Sequence, residues 1–279
     1  MTKTMYGLVK TNPAPGAEII ENLPIPEVGE RDILVKVKAA AICGTDSHIM
    51  AWTEYAQKRV PIPMVFGHEF SGDVVAVGEK VTEVKVGDRV AGETHIPGGV
   101  KNMKIIGVHV TGAFAEYISF PVDCAYKISD DMDYKVAAVL EPMGVAVHGV
   151  SRGEVAGKTV VIYGCGPIGL MAVGAAKAWG AKKVLAVDVF QSKLEVAKKM
   201  NADVTIDGSS EDPVAAVLKE TGYGADVVID YTGNLKAMKA GFKMARKGGR
   251  FVMVGLPNGT LEIDPTEDII YQELTVIGV

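Results

Sequence analysis

Hydrophobic and polar positions follow two different rhythms along the chain. In ILVKVKAAAI (33–42), Ile33, Val35 and Val37 fall on one side and Asp32, Lys36 and Lys38 on the other, the period-2 pattern of a half-buried strand. DVVAVG (73–78) and DRVAGE (88–93) are further short strand-like runs, with VGE and VGD turns between them. Many short strands broken by glycine and proline predict a β-rich, barrel-like domain.

The rhythm changes near residue 155. TVVIYG (159–164) reads as a buried strand, and a small-residue helix follows from Pro167 to Trp179, stopped by Gly180. KVLAVDV (183–189), DVTID (203–207), ADVVIDYTG (225–233), FVMVG (251–255) and LTVIGV (274–279) supply five more strands. Helices are predicted between them near 192–201, 212–221 and 235–246. Strands alternating with helices call for a parallel sheet covered on both faces. The join falls at about 150–156, in HGVSRGEVAG, giving domains over 1–154 and 155–279. No internal repeat, low-complexity tract or charged tail interrupts them.

Composition narrows the function classes. Lys and Arg number 29 against 34 Asp and Glu, a net charge of −5, which argues against a nucleic-acid partner. Three scattered cysteines, Cys43, Cys124 and Cys165, are too few for a disulfide framework, and a reducing cytoplasm fits them. The start, MTKTMYGLVKTNPAPG, lacks the apolar stretch of a secretory signal. Thr159 to Ala176 holds no charge and has the length of a membrane span, but its glycines and Pro167 fit a different motif, so no membrane is expected.

That motif is GCGPIG at 164–169, a GxGxxG after a strand and at the opening of a helix. Gly164 permits the tight turn, Gly166 lets backbone approach a pyrophosphate, and Gly169 lets helix and strand pack closely. The helix start then offers unpaired N–H groups to phosphate. Asp188 closes the second strand nineteen residues beyond Gly169, where a carboxylate accepts from adenosine ribose hydroxyls. The expected cofactor is a dinucleotide.

The first half carries a polar constellation. ICGTDSH (42–48) holds Cys43, Thr45, Asp46 and His48; GHEFSG (67–72) adds His68 and Glu69; LEPMG (140–144) adds Glu141. Thiolate, imidazole and carboxylate together form a mixed donor set suited to Zn²⁺ with an open position. Each residue alone also has a plain reading. Cys43 fits a small core residue, His68 with Glu69 a turn-stabilising pair, and Glu141 before Pro142 the approach to a helix. Thr45 fits a cap and His48 an ordinary surface histidine. A downstream dinucleotide domain raises the joint case, because hydride transfer from an alcohol benefits from a Lewis acid on its oxygen.

GHEFSGDVVAVGEKVTEVKVGDRV (67–90) resembles the zinc signature of the medium-chain alcohol dehydrogenases. Within that family, ICGTDSHIMAWTEYAQKRVPIPMVFGHEF, GETHIP and EPMGVAVHG most resemble the branch that oxidises the 3-hydroxyl of L-threonine. The similarity runs from about Lys3 to Val279. It implies an α/β chain: a GroES-like β-rich catalytic domain plus a Rossmann domain with a doubly wound parallel sheet, and the active site in the cleft between them.

Position by position, the resemblance implies Cys43, His68 and Glu69 as ligands of one catalytic Zn²⁺. It implies Asp46 as the carboxylate orienting the bound histidine, and Thr45 with His48 as a proton relay. Glu141 matches an acidic position that ligates zinc or assists the relay. Gly164, Gly166, Pro167, Ile168, Gly169 and Asp188 match the NAD loop, Lys193 a basic residue near the ribose, and Val254, Gly255 and Leu256 backbone near the nicotinamide. The implied substrate is a small alcohol, L-threonine favoured, with polyols or 2,3-butanediol as the alternative. A nucleotide-binding scaffold without turnover is the alternative from another class. A homo-oligomer pairing through the sixth Rossmann strand is implied as well. Two departures stand out: HIP (95–97) runs through GGVK to NMKIIGV without the four-cysteine lobe that holds a structural zinc in relatives, and relatives extend beyond the position of Val279.

Overall fold

The computed structural model describes residues 4–98 and 103–279; the crossing from HIP to NMKIIGV, at 99–102, lies outside them. Contacts divide the chain into two compact units, Met1–Glu141 and Pro142–Val279.

In the first unit, β1 (Thr4–Lys10) and β2 (Glu18–Pro24) form a hairpin, followed by β3 (Asp32–Ala41), α1 (Gly44–Met50), α2 (Glu54–Gln57), β4 (Met64–Val65) and β5 (Glu69–Val77). Then come β6 (Arg89–Gly92), the two-residue pair β7 (His95–Ile96) and β8 (Lys104–Ile105), β9 (Tyr117–Pro121), β10 (Ala125–Lys127) and α3 (Tyr134–Ala138). The strands build a three-stranded sheet in order β2-β1-β4 and a five-stranded antiparallel sheet in order β10-β6-β5-β3-β9. The alternation in β3 is realised: Ile33 and Val35 are fully buried while Lys36 and Lys38 face solvent. They pack with Phe70, Val74, Val90, Ile118 and Phe120, each burial of this kind stabilising by about 1.5–3 kcal/mol.

Several elements escape the sequence pattern. In β1 a lysine takes an interior position: Lys10 is buried, its Nζ donating to the Ala14 and Gly16 carbonyls and lying 5.0 Å from the Trp52 ring centroid. Helices α1, α2 and α3 span seven, four and five residues, too short to display a 3.6-residue period. The longer α4 (Leu140–Gly153) contains Pro142 and Gly144 near its start, which reads locally as a break; proline is tolerated in a first turn because its missing N–H has no intrahelical partner there. Ala146 and Val150 of α4 join the second unit's core. The contact division therefore falls at the start of this helix, and the join read from sequence at its end.

The second unit follows the expected alternation closely: β11 (Thr159–Tyr163), α5 (Pro167–Ala178), β12 (Lys183–Asp188), α6 (Gln191–Lys199), β13 (Val204–Asp207), α7 (Pro213–Thr221), β14 (Ala225–Asp230), α8 (Leu235–Met244), β15 (Ala245–Met253) and β16 (Thr275–Gly278). All pairings are parallel, in order β13-β12-β11-β14-β15-β16. The order reverses between β11 and β14, the crevice at which doubly wound sheets receive ligands. Thr159 to Ala176 resolves into β11, a glycine turn and most of α5, and among the described residues no helix is long and apolar enough to cross a membrane.

Candidate active site

In the first unit, strand register gathers the polar constellation. Ala41 of β3 pairs with Glu69 of β5, so the residues just past one strand meet those just before the other. Gly67 has φ +90°, and a β-carbon there would lie 2.6 Å from the Phe114 ring, so only glycine delivers His68 and Glu69 into this position. Cys43 Sγ, a ring nitrogen of His68 and a carboxylate oxygen of Glu69 all fall within 4.8 Å of one another, with the His and Glu buried.

Asp46 knits the two loops. Its Oδ2 accepts from the Cys43 N–H at 2.8 Å, and the Gly67 backbone also donates to the carboxylate. Its Oδ1 lies 3.7 Å from His68 Nδ1, and both atoms are buried without a hydrogen-bond partner among the described residues. Burial pushes Asp46 up to about 6 and His68 down to about 4, the latter with help from nearby His95. Burial, then the Glu141 charge, pushes Glu69 up to about 7, and burial raises the Cys43 thiol. All four shifts oppose charge, and a dication held by these donors would reverse them for the thiol and the carboxylates. The donor types and the unpartnered Asp46–His68 pair fit Zn²⁺ with an outer carboxylate aligned behind its imidazole ligand.

Thr45 and His48 lie three residues apart on α1 and share one face. Thr45 is half-buried and His48 exposed, with His48 Nδ1 facing Thr53 Oγ1 at 3.4 Å rather than Thr45. Glu141 accepts from Thr94 Oγ1 at 3.1 Å, and burial raises its pKa. It also forms, with Glu93 and His95, a second group of potential donors within 4.8 Å. Sequence spacing gave no sign of this group, since β7 and the start of α4 lie far apart in the chain. His95 is exposed and already pairs its Nδ1 with Glu93 at 3.0 Å.

In the second unit, the C-terminal ends of β11, β12 and β14 surround a cavity of about 610 Å³. Gly164, Gly166, Asp188 and Lys193 line it. Gly164 has φ +94°, and a β-carbon at Gly169 would sit 1.8 Å from the Gly164 carbonyl oxygen, so α5 can begin so close to β11 only with glycine at 169. Gly166 faces open space. Pro167 occupies the first turn of α5, while Ile168 turns toward the core. Asp188 Oδ2 accepts from Cys165 N–H at 2.7 Å and Oδ1 from Phe190 N–H at 3.0 Å, with Lys193 Nζ 3.7 Å away. A carboxylate has about four acceptor positions, so capacity remains for ribose hydroxyls. Val254, Gly255 and Leu256 follow β15, outside the cavity lining. Sequence reading missed Phe190, Tyr231, Thr232, Asn234 and Lys236, which line the cavity without belonging to a spaced motif.

Comparison with known proteins agrees with both halves. Residues 29–130 match the alcohol dehydrogenase GroES-like domain, and residues 167–279 match the zinc-binding dehydrogenase domain. L-threonine 3-dehydrogenase of Symbiobacterium thermophilum is 43% identical over 100% of this chain and 83% of its own length, and that of Bacillus subtilis 44% identical over 99% and 83%. Among solved structures, a protein described as a zinc-binding dehydrogenase from Sinorhizobium meliloti 1021, bound to NADP, superimposes with a TM-score of 0.92 at 33% identity, over 99% of this chain and 84% of that one. The 2R,3R-butanediol dehydrogenase from Bacillus subtilis superimposes with a TM-score of 0.90 at 31% identity, over 99% and 84%. The chain belongs to the zinc-binding, medium-chain alcohol dehydrogenase family.

Proposed function

We propose that this protein oxidises the 3-hydroxyl of L-threonine, giving 2-amino-3-oxobutanoate with transfer of a hydride to NAD⁺ and release of a proton. The observation that carries this reading is the Cys43–His68–Glu69 donor set backed by Asp46, in a chain whose other unit carries a dinucleotide cavity. A bound zinc would supply Lewis-acid polarisation of the alcohol oxygen, and a bound nicotinamide would supply the hydride acceptor. Cys43, His68 and Glu69 would hold the metal; Asp46 Oδ1, 3.7 Å from His68 Nδ1, is the carboxylate toward which that ring would turn to leave Nε2 free to ligate. Thr45 Oγ1 would take the substrate proton, and the exposed His48 ring, which faces Thr53 in this structure, would pass it to water after turning toward Thr45. Glu141, held by Thr94 Oγ1, is placed to assist that relay or to join the ligands.

Gly164, Gly166, Pro167, Ile168 and Gly169 present the start of α5 to the pyrophosphate, Asp188 and Lys193 take the ribose, and Val254, Gly255 and Leu256 serve the nicotinamide half. The chain pairs with a second copy through β16, an edge strand with unpaired backbone groups along one side.

Four outcomes are expected. NADH should form with L-threonine and not with sorbitol; turnover of 2,3-butanediol in preference to threonine would assign the butanediol reading, and NAD binding without turnover of any alcohol would assign the scaffold. Metal analysis should give at most one zinc per chain, lost in Cys43→Ser while NAD binding survives. Two zincs per chain would instead implicate Glu93, His95 and Glu141. Asp188→Gly should erode the preference for NAD over NADP by on the order of tenfold, about 1.4 kcal/mol, since a carboxylate repels the 2′-phosphate; equal affinity for both in the unsubstituted protein sinks the assignment. Light scattering should show a dimer, and a monomer at high concentration counts against pairing through β16.

A further inference from the structure

Asp230, the last residue of β14, is completely buried. Desolvation raises its pKa, and only hydrogen bonds oppose that rise, with no contribution from a cation. A buried carboxylate without a counterion is costly, so its bonds deserve to be followed. Oδ1 accepts from Thr232 Oγ1 at 2.6 Å, and Oδ2 is reached by the Gly233 N–H at 3.4 Å. Thr232 Oγ1 in turn accepts from Asn234 N–H, and Asn234 Oδ1 caps α8 by accepting from Lys236 and Ala237.

The same residue holds the next loop. The Asp230 main-chain oxygen accepts from both Val254 and Gly255 N–H at 3.0 Å. A β-carbon on Gly255 would lie 2.2 Å from Gly233 N and 3.0 Å from Asp230 Oδ2, so the two loops touch backbone to backbone beside this carboxylate. Gly233, at φ +59°, would place a β-carbon 2.8 Å from the Leu256 oxygen. Thr232 and Asn234 also line the cofactor cavity.

We propose that Asp230 is a positioning residue for the nicotinamide half of the cofactor: its carboxylate fixes the Thr232–Gly233 turn on which Gly255 packs, its main-chain oxygen holds Val254 and Gly255, and together they set where the backbone of Val254 to Leu256 stands. This rests on the dinucleotide reading given above. Asparagine is the informative substitution. Its amide oxygen retains the Thr232 bond, but its NH₂ then faces the Gly233 N–H, donor against donor. Asp188, on the adenosine side, takes no part in these hydrogen bonds, whereas Gly164 abuts the Thr232 backbone.

The test compares two ligands on the full chain by calorimetry. In Asp230→Asn, NADH affinity should fall by about tenfold or more while ADP-ribose affinity stays within about twofold. Thr232→Val, which removes the hydroxyl at nearly constant volume, should show the same split to a smaller degree and provides the reading if the first variant fails to fold. Equal loss of both ligands, or no loss of NADH affinity in either variant, would overturn the role of Asp230. Failure of the unsubstituted protein to bind either ligand would overturn the dinucleotide reading itself, and this role with it.

Discussion

A β-carbon at residue 169 would stand 1.8 Å from the carbonyl oxygen of Gly164. That contact fixes how closely α5 approaches the end of β11, and much of the second unit depends on it. With α5 seated there, its first N–H groups open beside Gly166 and Asp188 can reach across to the Cys165 N–H. A larger residue at 169 would lift the helix start away from the strand and separate the groups that line the cavity. The first unit has a counterpart at Gly67, where the Phe114 ring leaves no room for a side chain and the strained backbone turns His68 and Glu69 toward Cys43.

Legibility followed the range of the interactions. The second unit was read nearly element by element because its strands are continuous apolar runs and each connection is local; Ile162, Leu185, Val228 and Phe251 are all fully buried, as those runs imply. The turn glycines and Asp188 were visible because their spacing is itself the physical requirement. The first unit was read only in outline. Its five-stranded order places β10 beside β6 and β9 beside β3, pairings between segments distant in sequence that leave no local trace. Lys10 in an interior position runs against propensity and is decided by tertiary context.

The same division holds at the sites. Cys43, His68 and Glu69 were candidates from residue type and from family resemblance; their meeting depends on the Ala41–Glu69 register and on α1, neither of which has a periodic signature. Thr94 and Glu93, which bring Glu141 into a hydrogen-bonded group, were invisible for that reason. Asp230 lies unmarked inside the run ADVVIDYTG (225–233), and its importance emerges only with the backbone approach of Gly233 to Gly255.

The carboxylates sort into two kinds by what neutralises them. Asp203, Asp226 and Glu220 pair with Lys177, Arg246 and Lys183 at 2.7–2.9 Å, and each has its pKa lowered. These are half-exposed ion pairs that tie neighbouring elements together, each worth about 1 kcal/mol or less. Asp46 and Asp230 are buried and bound by N–H or O–H donors, with no lysine or arginine beside them among the described residues, and burial raises both. Asp188 accepts two N–H bonds, its lysine standing at 3.7 Å on the rim. Neutral donors fix a carboxylate in place without cancelling its charge, whereas a cation would do both. At Asp46 the carboxylate faces the His68 imidazole, and at Asp188 it faces the cavity beside Gly164 and Gly166. Backbone donors are also the least mobile available, since strand ends hold them in register. The buried carboxylates are therefore fixed by backbone and hydroxyl donors at strand ends, while the half-exposed ones are tied by lysine and arginine to the neighbouring element.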